Sequence, residues 1–88
     1  MTKFVVHTDV LVKEMNPYGF ATSVPKMLSD ARLSNVAFKQ AYICPLTICH
    51  CVSERKVVCE FDSTDEDTVR SALAKIGLPA TAILAKPN

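Results

Sequence analysis

The spacing of apolar and polar residues along the chain predicts four strands. Residues 3–12 and 57–61 are mostly β-branched or apolar with polar residues interleaved, which is typical of partly buried strands. Residues 38–52 predict a longer strand, and Pro45 within it predicts an edge position or a bulge because proline donates no backbone hydrogen bond. A short final strand is expected over residues 80–85.

Two segments have the three- and four-residue spacing of a helix face. Residues 14–22 predict a loop, and Ser23 is the expected N-cap of the first helix. Ser63 and Glu66 have capping-box spacing at the start of the second helix, and Gly77 predicts its end. The apolar stripes are expected to contain Val24, Met27, Leu28 and Ala31 in the first helix, and Val69, Ala72, Leu73 and Ile76 in the second.

The predicted elements follow in the order β-α-β-β-α-β over 88 residues. This order and length are typical of the ferredoxin-like α+β fold, in which two helices cover one face of a four-stranded antiparallel sheet. A chain of this length with 49% apolar residues accommodates one core. Residues 1–88 are therefore expected to form a single domain.

The other face of such a sheet has no helix to cover it. In the second strand both alternating sets of residues are apolar, as Tyr42 and Ile43 illustrate, so both faces of the strand need cover. The simplest cover is another copy of the chain. A homodimer that closes over the open sheet face is the expected assembly.

The charge pattern excludes several classes of partner. Net charge is +1, and the basic residues are scattered from Lys3 to Lys86, so no basic stripe predicts binding to nucleic acid or to an anionic membrane. No apolar run approaches the roughly 20 residues that span a bilayer, and the first residues do not resemble a signal peptide. A cytoplasmic location is expected. Thiols stay reduced there, which leaves packing, metal ligation or redox chemistry for the four cysteines.

The second half of the chain combines a short strand containing cysteine, an acidic helix start, a Val-Arg pair and the run Gly-Leu-Pro-Ala. These features occupy residues 57–61, 63–67, 69–70 and 77–80. In these features the chain resembles a group of small ferredoxin-like bacterial proteins that includes nickel-binding members. The resemblance implies a dimeric α+β barrel and a role in binding a divalent metal or another small ligand.

Cys49, His50 and Cys51 form the densest cluster of residues that can bind a metal. On a strand, Cys49 and Cys51 share one face and His50 lies on the other. The two cysteines are expected on the dimer face, where two chains together would supply four thiolates, a set that suits zinc or nickel. Plain packing of the cysteines and a redox-sensitive disulfide between chains are the alternatives.

Four residues are candidates for a ligand pocket: His7, Tyr18, His50 and Cys59. His50 and Cys59 are expected together beneath the helices. His7 could serve as a ligand or general base, and Tyr18 could close over a pocket from the loop. The structural alternatives are a half-buried strand histidine and a tyrosine packed on the end of the sheet.

These observations predict a small ligand-binding module with nickel or zinc as its candidate ligand. The alternative is a cofactor-free enzyme of the dimeric α+β-barrel type, an isomerase or monooxygenase, with His7 or His50 as base and Tyr18 as hydrogen-bond donor. An interaction module without a small ligand is a third class. An apolar cavity with a few convergent polar groups would favour the enzyme, and converged thiolates or imidazoles would favour the metal module.

Overall fold

The computed structural model describes residues 1–43 and 55–86 and confirms the predicted order of elements. Its strands form one antiparallel sheet in the order β2-β3-β1-β4, which is the ferredoxin-like arrangement. The elements are β1 (Thr2–Leu11), α1 (Pro17–Asp30), β2 (Val36–Ile43), β3 (Lys56–Ser63), α2 (Glu66–Ile76) and β4 (Ala80–Lys86). The predicted continuation of the second strand to residue 52, with its interruption at Pro45, lies outside the described residues.

Both helices pack on one face of the sheet, and the core lies between the two layers. On β3 that face carries Val57, Cys59 and Phe61, and Val6 of β1 lies opposite Cys59 and Ile83. Each of the fully buried valine and phenylalanine side chains contributes on the order of 1.5–3 kcal/mol by leaving water. The helices supply the other side of the core: Phe20, Val24 and Leu28 from α1, and Val69, Ala72 and Leu73 from α2.

Helix α1 begins seven residues earlier than predicted. Asn16 is its N-cap, and the Asn16 Oδ1 atom accepts a hydrogen bond of 2.8 Å from the backbone N–H of Gly19. Pro17 then occupies the first helical position, where its fixed φ is favourable and a missing N–H costs nothing. The predicted loop is therefore wrong for residues 17–22, and Ser23 is not the cap, because an Asn-Pro pair can start a helix as well as form a turn.

Helix α2 also begins differently from the prediction, although it ends as expected. Asp65, not Ser63, is the N-cap, and it accepts a 2.7 Å hydrogen bond from the backbone N–H of Thr68. Ser63 instead ends β3 as a buried residue and donates to the carbonyl of Asn35 at 3.0 Å. Gly77 closes the helix at φ 75°, a left-handed conformation that favours glycine. The predicted apolar stripe of this helix is confirmed.

An irregularity in β1 lies next to His7. The register with β3 shifts between His7 and Leu11, and the register with β4 shifts between His7 and Thr8. The buried Thr8 hydroxyl donates to the Val57 carbonyl at 2.7 Å and accepts from the Val10 N–H at 3.3 Å. His7 is therefore the last residue of β1 before the strand departs from regular pairing, a position at which bulges often re-aim side chains.

Candidate functional site on the open sheet face

The open face is the side of the sheet opposite the two helices. Its members follow from the register, since Val5 pairs with Glu60 and Leu84, while His7 pairs with Val58 and Ala82. No helix in residues 1–43 and 55–86 covers this face. The open face contains Lys3, Val5 and His7 of β1, Gln40 and Tyr42 of β2, Val58, Glu60 and Asp62 of β3, and Ala82, Leu84 and Lys86 of β4.

Glu60 lies at the centre of the open face and is only 3% exposed. Burial by itself raises the pKa of its carboxyl group. Hydrogen bonds from Gln40 and Tyr42, together with the positive charges of Lys3 and Lys86, outweigh that effect and hold the pKa below its ordinary value. The open face therefore has an ionised carboxylate beneath a layer of polar side chains at neutral pH.

One oxygen of this carboxylate has an incomplete set of partners. Within the described part of the chain, Glu60 Oε1 is buried and accepts no hydrogen bond, and its ion-pair partner is Lys3, whose Nζ atom lies 3.5 Å away. That separation exceeds the usual length of a charged hydrogen bond. A buried acceptor without a donor costs roughly 1–3 kcal/mol, so this oxygen is a place where an added donor would bind favourably.

The lysines of the open face are arranged unevenly around Glu60. Lys3 and Lys86 lie directly opposite each other on β1 and β4, an arrangement in which two like charges repel. Asp62 lies opposite Lys3 on β3 and brings a negative charge to the same row. Its carboxylate forms an ion pair with Lys39, with Nζ and Oδ2 3.4 Å apart, so it compensates the two facing lysines only in part. Two ammonium groups therefore share one end of the open face with the buried carboxylate of Glu60 and the half-buried carboxylate of Asp62, which lies opposite Lys3.

The remaining area of the open face is largely apolar. Val58 is 1% exposed between His7 and Tyr42, its register partners on the two neighbouring strands. Leu84 is 55% exposed on the edge strand β4, and Val5 lies between it and Glu60. An apolar floor beside a cluster of charged side chains resembles the wall of a ligand site more than an ordinary solvated sheet surface.

Grooves also occur on the helix side of the molecule. One groove of about 360 Å³ is bounded by Asn35, Asp67, Ser71 and Lys75, and one of about 180 Å³ lies between α2 and β4. The charged residues that bound the first groove are exposed, so it has no buried polar group directed at a ligand. The open face is therefore the stronger candidate site.

The predicted pocket residues occupy three different parts of the molecule. His7 is half-buried on the open face, whereas Cys59 is buried beneath the helices with Val57 and Phe61. Tyr18 belongs to the first turn of α1, not to a loop, and is 81% exposed. Consequently, these three side chains do not line one common pocket in the described chain.

The predicted metal ligands Cys49 and Cys51, and also His50, lie outside the described residues. Their roles stay predictions. Within residues 1–43 and 55–86, no three His, Cys, Asp or Glu side chains group closely enough to hold a metal ion. In the same part of the chain, no helix has the length and apolarity to cross a membrane.

Burial determines the chemistry of Cys59. It raises the pKa of the Cys59 thiol to about 12, so this side chain is a neutral thiol at physiological pH. Metals and electrophiles react with the thiolate form. Cys59 therefore packs in the core as a small apolar side chain. Packing was one of the three roles expected for the cysteines, beside metal ligation and redox chemistry.

Sequence reasoning missed Glu60 and its partners Gln40 and Tyr42. A signal was present, because Glu60 is the one charged residue within the apolar run 57–61 of a predicted strand. What could not be predicted was the register between β2 and β3, which brings Gln40 opposite Glu60 across a one-residue irregularity after Phe38.

Comparison with known proteins supports the class of fold and goes no further. No family model matches the chain, and no curated protein matches it in sequence. Among solved structures, the chain is similar to SCO4226 from Streptomyces coelicolor A3(2), with a TM-score of 0.67 and 18% identity over 100% of this chain and 98% of that chain. The likeness extends over almost the full length of both chains, and at this identity it shows a shared fold alone.

Proposed function

We propose that this protein is a small-ligand-binding module that acts as a homodimer, with the open faces of two protomers enclosing the ligand. The observation that carries the proposal is Glu60, an ionised carboxylate that is 3% exposed on a sheet face without a covering helix in the described chain. A buried ionised group needs hydrogen-bond or ion-pair partners. A sheet whose second face carries apolar side chains needs another layer to cover that face.

A second copy of the chain fits the open face by charge as well as by apolar area. Val5, Leu84 and Tyr42 offer apolar surface, and both signs of charge are present on the same face. Under two-fold symmetry each patch meets its own copy rotated by half a turn, so a lysine of one protomer can face a carboxylate of the other.

A transition metal is the ligand that the sequence proposes for this module. Thiolates from Cys49 and Cys51 of two protomers would suit nickel or zinc, and the resemblance to nickel-binding ferredoxin-like proteins points to the same class of ligand. Cys59 does not contribute in this proposal, because its thiol is buried on the other face of the sheet.

The second candidate function is a cofactor-free enzyme of the same dimeric type. The observation that favours it is that His7 and Tyr42 flank Val58 on the open face, which places a candidate base and a hydroxyl around an apolar floor. In this version Tyr42 takes the donor role that the sequence prediction gave to Tyr18, which lies on α1 and is exposed.

The dimer is tested with two matched substitutions of exposed apolar residues. Light scattering at about ten micromolar should give twice the chain mass for the wild-type protein. Leu84→Glu adds a charge to the open face and should give a monomer, whereas Tyr18→Glu adds the same charge on the helix side and should leave the dimer intact. A monomeric wild-type protein, or two variants with equal masses, would contradict the proposal.

The metal is tested by elemental analysis of protein purified without an affinity tag. The Cys49→Ser/Cys51→Ser double variant should lose bound nickel or zinc, while His50→Ala and Cys59→Ala should retain it. Metal retained in the double variant would exclude these thiolates as ligands. A dimer with no metal in any variant would favour the enzyme or another small ligand.

A further inference from the structure

We propose that the open face carries a binding site for a small zwitterion, an amino-carboxylate whose ammonium group binds Glu60 and whose carboxylate group binds Lys3 and Lys86. This inference rests on the proposed function, because the second protomer would shield the site from water. It names the class of organic ligand that the described residues suit, independently of any metal at Cys49 and Cys51.

The ammonium end of the ligand follows from the state of Glu60. Its Oε1 atom is buried without a hydrogen-bond donor in the described chain, and the nearest ammonium group, that of Lys3, stops 3.5 Å away. A charged N–H donor forms a shorter and stronger bond to a carboxylate than a neutral donor does. An ammonium group that enters beside Lys3 would supply the donor that Oε1 lacks.

The carboxylate end follows from the lysine pair. Lys3 and Lys86 are direct partners across β1 and β4, so their side chains bring two positive charges to one place. Lys3 already compensates part of the charge of Glu60, whereas Lys86 is exposed at the end of the edge strand. An anionic group between these lysines would relieve their repulsion and bind in a cationic setting.

The spacing of the site indicates the length of the ligand. The Lys3 Nζ atom lies 3.5 Å from Glu60, so Lys86 marks the far end of the site. Lys86 belongs to the next row of residues from Glu60, roughly 6.6–6.8 Å away along the strand direction. The apolar side chains of Val5 and Leu84 share the row of Glu60 and are adjacent to Lys3 and Lys86 on the same strands. Methylene groups between the ammonium and the carboxylate would therefore contact apolar surface, as in 4-aminobutyrate.

Ligands with one kind of charge fit this surface less well. A simple cation is repelled by Lys3 and Lys86, and a simple anion is repelled by Glu60 and Asp62. A divalent metal at Glu60 would need several oxygen or nitrogen ligands, and no three acidic, histidine or cysteine side chains converge among the described residues. A zwitterion satisfies both signs of charge at once.

The experiment is a titration of the isotope-labelled protein with three probes of equal length: 4-aminobutyrate, butylamine and butyrate. Backbone amide chemical shifts on β1, β3 and β4 report binding. We expect 4-aminobutyrate to bind more tightly than either single-charge probe. Glu60→Gln should weaken its binding about tenfold, since a charged hydrogen bond becomes a neutral one. Lys86→Met should weaken the binding of 4-aminobutyrate and bring its affinity closer to that of butylamine, because Lys3 is still present to bind the carboxylate.

Glu66→Gln is the matched control, because it removes one negative charge from a carboxylate that is paired with Arg70 on α2, away from the open face, and it should change the affinity less than twofold. Equal binding of butylamine and 4-aminobutyrate would overturn the role of the lysines, and unchanged affinity in Glu60→Gln would overturn the role of Glu60. Absence of binding by all three probes to a protein that light scattering shows to be dimeric would refute the zwitterion site while leaving the dimer in place. A monomer that binds 4-aminobutyrate through Glu60 would retain the site and contradict the dimer.

Discussion

Cys59 and Glu60 are consecutive residues of β3, and both are almost completely buried, yet the two faces of the sheet give them opposite ionisation states. On the helix-covered face burial raises the pKa of the Cys59 thiol to about 12, and the group stays neutral. On the open face burial also raises the pKa of Glu60, but hydrogen bonds and lysine charges lower it by more, and the group stays charged. The difference teaches that the partners of a buried group, and not burial alone, decide its charge.

The two faces therefore differ in what holds them together. The helix-covered face is a continuous apolar layer between Phe4, Val57, Phe61 and the two helices, so its stability comes from area removed from water. The open face is built around the carboxylate of Glu60. This group accepts hydrogen bonds from two neighbouring side chains and forms an ion pair with Lys3. Changes on the first face should affect folding, and changes on the second should affect charge and binding.

The largest expected difference in stability between the two faces comes from replacing one leucine on each face with alanine. Leu73→Ala, in the buried stripe of α2, should lower the free energy of unfolding by about 2–5 kcal/mol. Leu84→Ala, on the open face, should cost less than about 0.5 kcal/mol in the free energy of unfolding of the monomer. Urea denaturation at a concentration low enough to give monomers measures both values. Equal losses would mean that the two faces are not distinguished by burial.

The second prediction concerns acid stability, which the open face should control. Because the pKa of Glu60 is lower in the folded chain than in the unfolded chain, its contribution is complete above the ordinary glutamate pKa of about 4.3. That contribution is lost as the pH falls through the folded-state pKa. Free energies of unfolding measured from pH 7 to pH 3 should therefore fall less steeply in Glu60→Gln than in the wild-type protein.

Asp65→Asn is the control for this pH series. Hydrogen bonds from the Thr68 side chain and backbone also lower the pKa of Asp65, but this cap is exposed to solvent, and its contribution to the pH dependence should be smaller. If Asp65→Asn flattened the profile as much as Glu60→Gln, the helix cap and not the open face would account for the acid sensitivity.

Local patterns were sufficient to predict most of the fold. The stripe of α2 and the left-handed Gly77 are encoded within a few residues of one another, and so is the order of the elements. The starts of both helices were missed because several residues near each start can cap: Asn16 precedes Ser23, and Asp65 follows Ser63. Which of these residues caps depends on where the preceding strand ends, and that is a property of tertiary packing.

The candidate site was less predictable than the fold because it depends on long-range register. Glu60 meets Gln40, Tyr42 and Lys3 across strands β2 and β1, so no short stretch of sequence contains the cluster. His7 was identified from its residue type and its position in a predicted strand, and the structure adds its neighbours Val58 and Ala82. Chemistry that depends on cross-strand neighbours requires the pairing to be known first.

The smallest expected effect distinguishes two ion pairs that lie on the same face. Lys3 interacts with the nearly buried carboxylate of Glu60, whereas Lys39 interacts with Asp62, which is more exposed. Lys3→Met should raise the pKa of Glu60 and cost about 1 kcal/mol, a value reduced by the partial exposure of the lysine. Lys39→Met should cost about 0–0.5 kcal/mol, as exposed pairs usually do. Carbon-13 NMR titration of the glutamate carboxyl groups, combined with urea denaturation, measures both quantities. A Glu60 pKa that does not change in Lys3→Met would show that Gln40 and Tyr42 keep the carboxylate ionised without help from that ammonium group.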